Sequence, residues 1–188
     1  MLKQIPEFRK YAEITGFRNV RMSNIEKFLK AISKEKPENV DIQFFDAKLI
    51  ATWQHLYFAA LNALTAFENK ENISKTLPME TLLYASAQRQ IRKATELIGI
   101  NPNSTDVAVL AIGERTEAVK GAVSRVSRRI NGERDDSVLE LSKEKENVIR
   151  KGFAVSKVEL QTVAGKNNSE KALIDLVIER MALLVTQR

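Results

Sequence analysis

The chain has 188 residues, no cysteine and one histidine, and its 30 basic residues outnumber its 24 acidic ones. This length suffices for a hydrophobic core without covalent or metal staples, and it predicts a single domain covering residues 1–188. Without cysteine the chain has neither a disulfide framework nor a zinc–thiolate site, and His55 alone cannot form a multi-histidine centre. The sequence therefore predicts no metal and no cofactor, and it suits the reducing cytoplasm.

Charge and hydropathy narrow the possible partners. The first ten residues, MLKQIPEFRK, have no apolar core, so we expect no secretory signal. The longest apolar stretch, residues 172–185, is interrupted by charges and is shorter than the roughly 20 residues of a membrane span. We therefore expect no membrane partner. The net charge of +6 favours phosphates or acidic protein surfaces, but a merely soluble surface has the same composition.

The first quarter of the chain predicts a strand–helix–strand unit. Residues 11–16 (YAEITG) alternate as a half-buried strand does. Ser23 and Glu26 have the spacing of a capping box, so we expect a helix that begins at Ser23 and ends before Pro37. Apolar and polar residues alternate again over residues 40–44, which predicts a second strand.

Two long amphipathic helices are predicted next. Thr52 is a suitable N-cap for a helix whose apolar residues recur at three- and four-residue spacing as far as Phe67. Pro78 stands at the favoured first turn of another helix, and Gly99 is suited to end it. The spacing thus predicts one continuous helix over residues 78–98.

Polar residues interrupt the apolar face of that second helix. Ser86 and Gln90 are one turn apart on the apolar side, and a basic stripe accompanies them, formed by Arg89, Arg92 and Lys93. Buried polar groups cost about 1–3 kcal/mol unless they find partners. Two interpretations remain open. Either these side chains bond the backbone within the core, or they line a pocket or groove edged by arginines, which bind phosphates and stack on bases.

The remaining chain alternates again between strand and helix. Residues 106–113 (DVAVLAIG) are an apolar run typical of a central strand, and residues 114–130 predict a helix. The charge-dense residues 133–151 predict a loop with one short helix, and Phe153 with Val155 suggests a last strand. An apolar helix is then predicted from Ser169 to Val185.

These elements predict an α/β fold of the α+β type. Helices should pack against a small, mainly antiparallel sheet of about four strands. The last helix is apolar around more of its circumference than one core face requires. Such a helix is either central in the core or partly covered by another chain.

No catalytic constellation is visible. The sequence has no GxSxG elbow, Walker loop or GxGxxG fingerprint. We interpret His55 as capping or flanking the start of its helix, and Asp135 and Asp136 as solvated carboxylates in a charged loop. The chain is therefore predicted not to be an enzyme.

A family resemblance covers residues 11–185. The segment Leu82-Leu83-Tyr84-Ala85-Ser86, then Arg89-Gln90-Ile91 and Gly99, resembles the KEOPS subunit that binds p53-related protein kinase. The preceding helix after His55-Leu56, the strand at residues 107–113 and Ala182-Leu183-Leu184 follow in the expected order. Ala87 departs from the pattern, because a glycine is usual there, and Thr95 stands at a position more often aliphatic.

The resemblance implies a non-catalytic adaptor. KEOPS installs threonylcarbamoyl-adenosine in tRNA, and this subunit binds the kinase-like ATPase and helps to recruit tRNA through its single-stranded 3′ CCA end. The tRNA-binding residues would be Ser86, Arg89, Gln90, Ile91, Arg92 and Lys93. The kinase interface would include Val177, Met181 and Leu184. The alternatives are a stand-alone RNA-binding domain, or a small enzyme with a pocket near Ser86 and Gln90.

Overall fold

The computed structural model describes residues 1–164 and 168–186. The chain divides into two compact units, each built from two segments. The sheet unit consists of Met1–Ala47 and Gly99–Val138, and the helical unit of Lys48–Ile98 and Leu139–Arg188. That the two units make a single domain stays a prediction of the sequence.

The sheet unit contains a five-stranded antiparallel sheet, which confirms the predicted α+β class. Its strands are β1 (Leu2–Ile5), β2 (Lys10–Arg18), β3 (Val40–Asp46), β4 (Val107–Gly113) and β5 (Glu133–Arg134). They lie in the order β1–β2–β4–β3, and β5 also pairs with β2. The short strands β1 and β5 are additions to the sequence prediction, because neither has a sustained alternating pattern.

The predicted central strand is confirmed as β4. It pairs with β2, where Ile14 lies opposite Leu110, and with β3, where Phe44 lies opposite Val109. All its residues are buried. Burial of both faces explains why its sequence is continuously apolar rather than alternating.

Two helices of the sheet unit, α1 (Ile25–Glu35) and α5 (Thr116–Arg129), pack against each other, and α5 also packs on β2, β3 and β4. Alternate residues of β4, such as Val107 and Val109, share a buried cluster with side chains from both helices. The N-cap of α1 is Asn24 rather than the predicted Ser23, because the Asn24 side chain accepts the Lys27 N–H at 2.8 Å.

Among its described residues, the helical unit contains six α-helices. They are α2 (Trp53–Glu68), α3 (Leu77–Ser86), α4 (Ile91–Ile98), α6 (Lys143–Gly152), α7 (Lys157–Ala164) and α8 (Ser169–Ala182). The predicted cap of α2 is confirmed, since the Thr52 hydroxyl accepts the Gln54 N–H at 3.1 Å. Among the residues described, every helix falls short of the length and apolar character needed to cross a bilayer.

Three expectations for the helical unit were wrong. The single helix expected over residues 78–98 is two helices, α3 and α4. Phe153 and Val155 form no strand; they lie between α6 and α7, where both are buried against α8. The N-cap of α8 is Asn168 rather than Ser169, since the Asn168 side chain accepts the Lys171 N–H at 3.2 Å.

Candidate functional site

The candidate tRNA-binding residues surround the turn between α3 and α4, residues 87–90. Helix α3 ends because Ala87 adopts the left-handed conformation, with φ of 50°. The Ala87 N–H donates to the Tyr84 carbonyl at 2.9 Å, and the Gln88 N–H donates to the Leu83 carbonyl at 3.1 Å. These are the two bonds of a Schellman motif, in which glycine usually takes the left-handed position. The chain therefore turns sharply at the centre of the family-like motif.

The buried side chain of His55 contacts the carboxyl-terminal end of α3. Its Nε2–H donates to the Ala85 carbonyl at 2.8 Å, and its Nδ1 accepts the Ala51 N–H at 3.2 Å. The Phe153 ring stands edge-on to the imidazole at a centroid distance of 5.5 Å. Because the last carbonyls of a helix lack intrahelical partners, His55 satisfies one that would otherwise be left unpaired.

Burial makes His55 a neutral structural group. The ring has no exposed surface, and desolvation lowers its pKa from 6.5 to about 4 despite the hydrogen bond to Ala85. The expectation that His55 caps or flanks the helix start was incomplete, because the ring also bonds the end of α3. Its spacing to the buried residues Ala59 and Ala63 could have shown that it lies on the buried face of α2.

The structure separates Ser86 from Gln90. Ser86 is buried, and its hydroxyl donates to the Leu83 carbonyl at 3.0 Å. Gln90 is exposed and precedes α4. For Ser86 the interpretation of a backbone-bonded core residue is therefore the one observed. The two side chains are therefore not neighbours on the apolar face of one helix, as the sequence predicts.

Arg89 joins the turn to the carboxyl-terminal segment. Its guanidinium donates to the Leu184 carbonyl at 3.2 Å, across 95 positions of sequence. Leu184 belongs to the short 3₁₀ segment Leu183–Thr186, which follows α8. Arg89 itself remains exposed. A residue predicted for tRNA and a residue predicted for the kinase are thus in direct contact.

The amino-terminal end of α4 presents the other candidate residues to solvent. Ile91, although apolar, is 48% exposed. Arg92 and Lys93 are also exposed, and Arg92 forms an ion pair with Glu96 at 3.6 Å. Exposed pairs of this kind contribute little to stability, so Arg92 is available to a ligand. Arg89 precedes the helix, so the expected one-turn alignment of Arg89 with Lys93 does not hold.

The predicted kinase-binding residues are buried in the free chain. Helix α8 packs against α2, α3, α6 and α7, and Val177, Met181 and Leu184 have no exposed surface. Packing within the helical unit therefore explains why α8 is apolar around so much of its circumference. Its excess of apolar residues is no evidence that a second chain covers it. That these three residues bind a kinase stays a prediction. The exposed apolar neighbours are Leu183 and Val185, at 46% and 43% exposure.

The carboxylate pair in the charged loop is structural. Asp136 accepts the Thr15 hydroxyl at 2.6 Å and the Gly16 N–H at 3.0 Å, and Asp135 forms an ion pair with Arg18 at 2.9 Å. The expectation that both are simply solvated was wrong. Across residues 1–164 and 168–186, no three histidine, aspartate or glutamate side chains group as they would around a metal ion.

Comparison with known proteins assigns the chain to a family. A family model described as "Kinase binding protein CGI-121" matches residues 17–184. The chain is also 32% identical over 171 residues to the "Regulatory protein Cgi121" of Methanocaldococcus jannaschii, a match that covers 91% of this chain and 95% of the relative. The family model extends through the turn at residues 87–90 and through α8. The chain belongs to the CGI-121 family of kinase-binding proteins.

Proposed function

We propose that this chain is a non-catalytic adaptor of a KEOPS-type complex in the cytoplasm, which binds a kinase-like ATPase and recruits tRNA through its 3′ CCA end. The family match over residues 17–184 carries the proposal, because it covers most of the chain and supports a kinase partner. The family is described as kinase-binding and the archaeal relative as a regulatory protein. An adaptor role agrees with both.

The surface around the α3–α4 turn supports the tRNA part of the proposal. Single-stranded RNA is typically held by stacking and by a basic track for its phosphates. Arg89, Arg92 and Lys93 are exposed within five positions of the chain, and Ile91 beside them offers an exposed apolar contact. Tyr84 is buried, so aromatic stacking in this motif is limited and phosphate contacts should carry much of the affinity.

The kinase part is tested with substitutions on the exposed apolar residues. We place the kinase contact on Leu183 and Val185, the exposed apolar neighbours of the buried Leu184. Leu183→Glu combined with Val185→Glu should therefore abolish copurification of the kinase-like ATPase. Val158→Glu combined with Val163→Glu is the matched control, since these valines are 72% and 50% exposed on α7. A native circular dichroism spectrum with retained ATPase binding by the double variant would contradict this placement of the interface.

The tRNA part is tested by trimming the RNA. At near-physiological salt, tRNA lacking its last three nucleotides should bind more weakly than full-length tRNA. Arg92→Gln with Lys93→Gln should remove most of that difference, whereas Lys75→Gln with Lys143→Gln should keep it, because both control lysines are exposed elsewhere in the helical unit. Equal affinity of the wild-type protein for full and trimmed tRNA would refute 3′-end recognition.

A further inference from the structure

A basic groove lies between α1 and α5 of the sheet unit. Two adjoining parts of it share Glu35 and Arg129 in their walls. Six of its lining side chains are basic, three from each helix: Lys27, Lys30, Lys34, Arg125, Arg128 and Arg129. The acidic side chains that line it are Glu26 and Glu35. The groove therefore carries an excess of four positive charges.

The two acidic residues leave most of that charge uncompensated. Glu26 pairs with Lys30 at 2.6 Å, and Glu35 accepts from Arg129, with its Oε2 2.6 Å from the guanidinium Nε. Within the described part of the chain, no ion pair joins a carboxylate to the remaining four, which are Lys27, Lys34, Arg125 and Arg128. The nearby arginines, Arg129 foremost, lower the pKa of Glu35, so its charge persists and keeps Arg129 in place.

The lining of the groove favours a phosphate backbone over a protein surface. The walls of one part consist entirely of Glu35, Arg125, Arg128 and Arg129. A protein interface is built around a desolvated core depleted of charged residues. This wall has no such core. A nucleic-acid interface is polar and strongly basic. Guanidinium groups bind phosphates through two parallel hydrogen bonds, and Lys27 and Lys34 are about 10 Å apart along α1, at roughly 1.5 Å per residue.

We propose that the α1–α5 groove binds the sugar–phosphate backbone of a double-helical RNA segment. Helical RNA suits it because A-form duplexes are recognised through their shape, phosphates and 2′-hydroxyls rather than through base edges. The inference rests on the proposed function only in the identity of the RNA, since the adaptor would bind the double-helical part of the same tRNA. It adds a second contact, formed by residues outside the α3–α4 turn.

The test measures binding of a blunt 12-base-pair RNA duplex that has no CCA end. Lys34→Gln with Arg128→Gln should weaken duplex binding about tenfold or more at near-physiological salt and make its salt dependence shallower, since each lost phosphate contact removes about one released counterion. The control Lys75→Gln with Lys143→Gln has the same net charge and should change the affinity less than twofold. Lys27→Gln with Arg125→Gln is a second groove variant, should the first fold poorly.

Two further probes separate the possible failures. A short single strand ending in CCA should bind the groove variant as it binds the wild type. Equal weakening of duplex binding by the groove and control variants would overturn the proposal that the groove binds duplex RNA, and would leave 3′-end recognition intact. Duplex binding displaced by polyglutamate as effectively as by a second RNA duplex would also overturn it, in favour of an acidic protein partner. If the wild-type protein binds full-length and trimmed tRNA equally, that result contradicts the proposed 3′-end recognition and does not bear on the groove.

Discussion

Lowering the pH should destabilise the helical unit through His55, and a His55→Gln substitution isolates that contribution. The imidazole is buried between the Ala51 N–H and the Ala85 carbonyl, so a proton added to the ring would place an unpaired positive charge in the core. Protonation would also turn Nδ1 from an acceptor into a donor facing the Ala51 N–H. Glutamine can still donate to Ala85 but does not titrate.

The magnitude follows from the two pKa values. Burial lowers the pKa of His55 from 6.5 in the unfolded chain to about 4 in the folded one. Between these values the unfolded state binds more protons, so the stability from neutral His55 is complete above pH 6.5 and is lost as pH falls towards 4. At pH 4.5 the loss relative to pH 7.5 is about 2.5 kcal/mol, at 1.36 kcal/mol per pKa unit.

Urea unfolding at pH 7.5, 6.0, 5.0 and 4.5 measures this effect. The sole tryptophan, Trp53, is two residues before His55 at the start of α2 and reports on the helical unit by fluorescence. Carboxylates titrate equally in wild type and variant, so the difference between the two proteins isolates His55. That difference should shrink by about 2.5 kcal/mol between pH 7.5 and 4.5. A difference that stays constant or grows as pH falls would refute the reasoning.

Three further substitutions test the local geometry by urea or thermal unfolding. Ala87→Gly should raise the free energy of unfolding by about 1 kcal/mol, because φ of 50° strains a Cβ; destabilisation would contradict this. Gly16→Ala should lower it by about 2 kcal/mol, since its Cβ would lie 2.6 Å from the Asp135 carbonyl oxygen. Asp136→Ala should cost about 2 kcal/mol by leaving the Thr15 hydroxyl and the Gly16 N–H without their acceptor. An unchanged midpoint would contradict either of the last two.

The sequence predicts those helices and strands in which buried apolar residues recur at a regular spacing. The strand at residues 107–113 and the helix after Thr52 bury long regular stripes, so both are recognised with nearly correct bounds. Cap positions shift by one residue where two suitable residues adjoin, as with Ser23 and Asn24. The strand expected at Phe153 and Val155 failed because two alternating apolar residues also suit a buried connection between helices.

The candidate site was less predictable because one backbone conformation decides it. An alanine gives no sequence signal for the left-handed region, so the break at Ala87 was read through, and Arg89 was placed on a helix it precedes. The one available signal was the resemblance, since the glycine usual in the family at this position is the residue that favours the left-handed conformation. The buried state of Leu184 depends on long-range packing of the helical unit, which periodicity along one helix does not report.

Retention of the kinase-like ATPase on tRNA immobilised through its 5′ end tests the adaptor account most directly. Addition of this chain should increase the ATPase retained on full-length tRNA, because an adaptor would bind both partners at once. The increase should disappear on tRNA lacking its last three nucleotides, and also with the Leu183→Glu and Val185→Glu double variant. Retention that is the same with and without the chain, or the same on full and trimmed tRNA, would contradict the account.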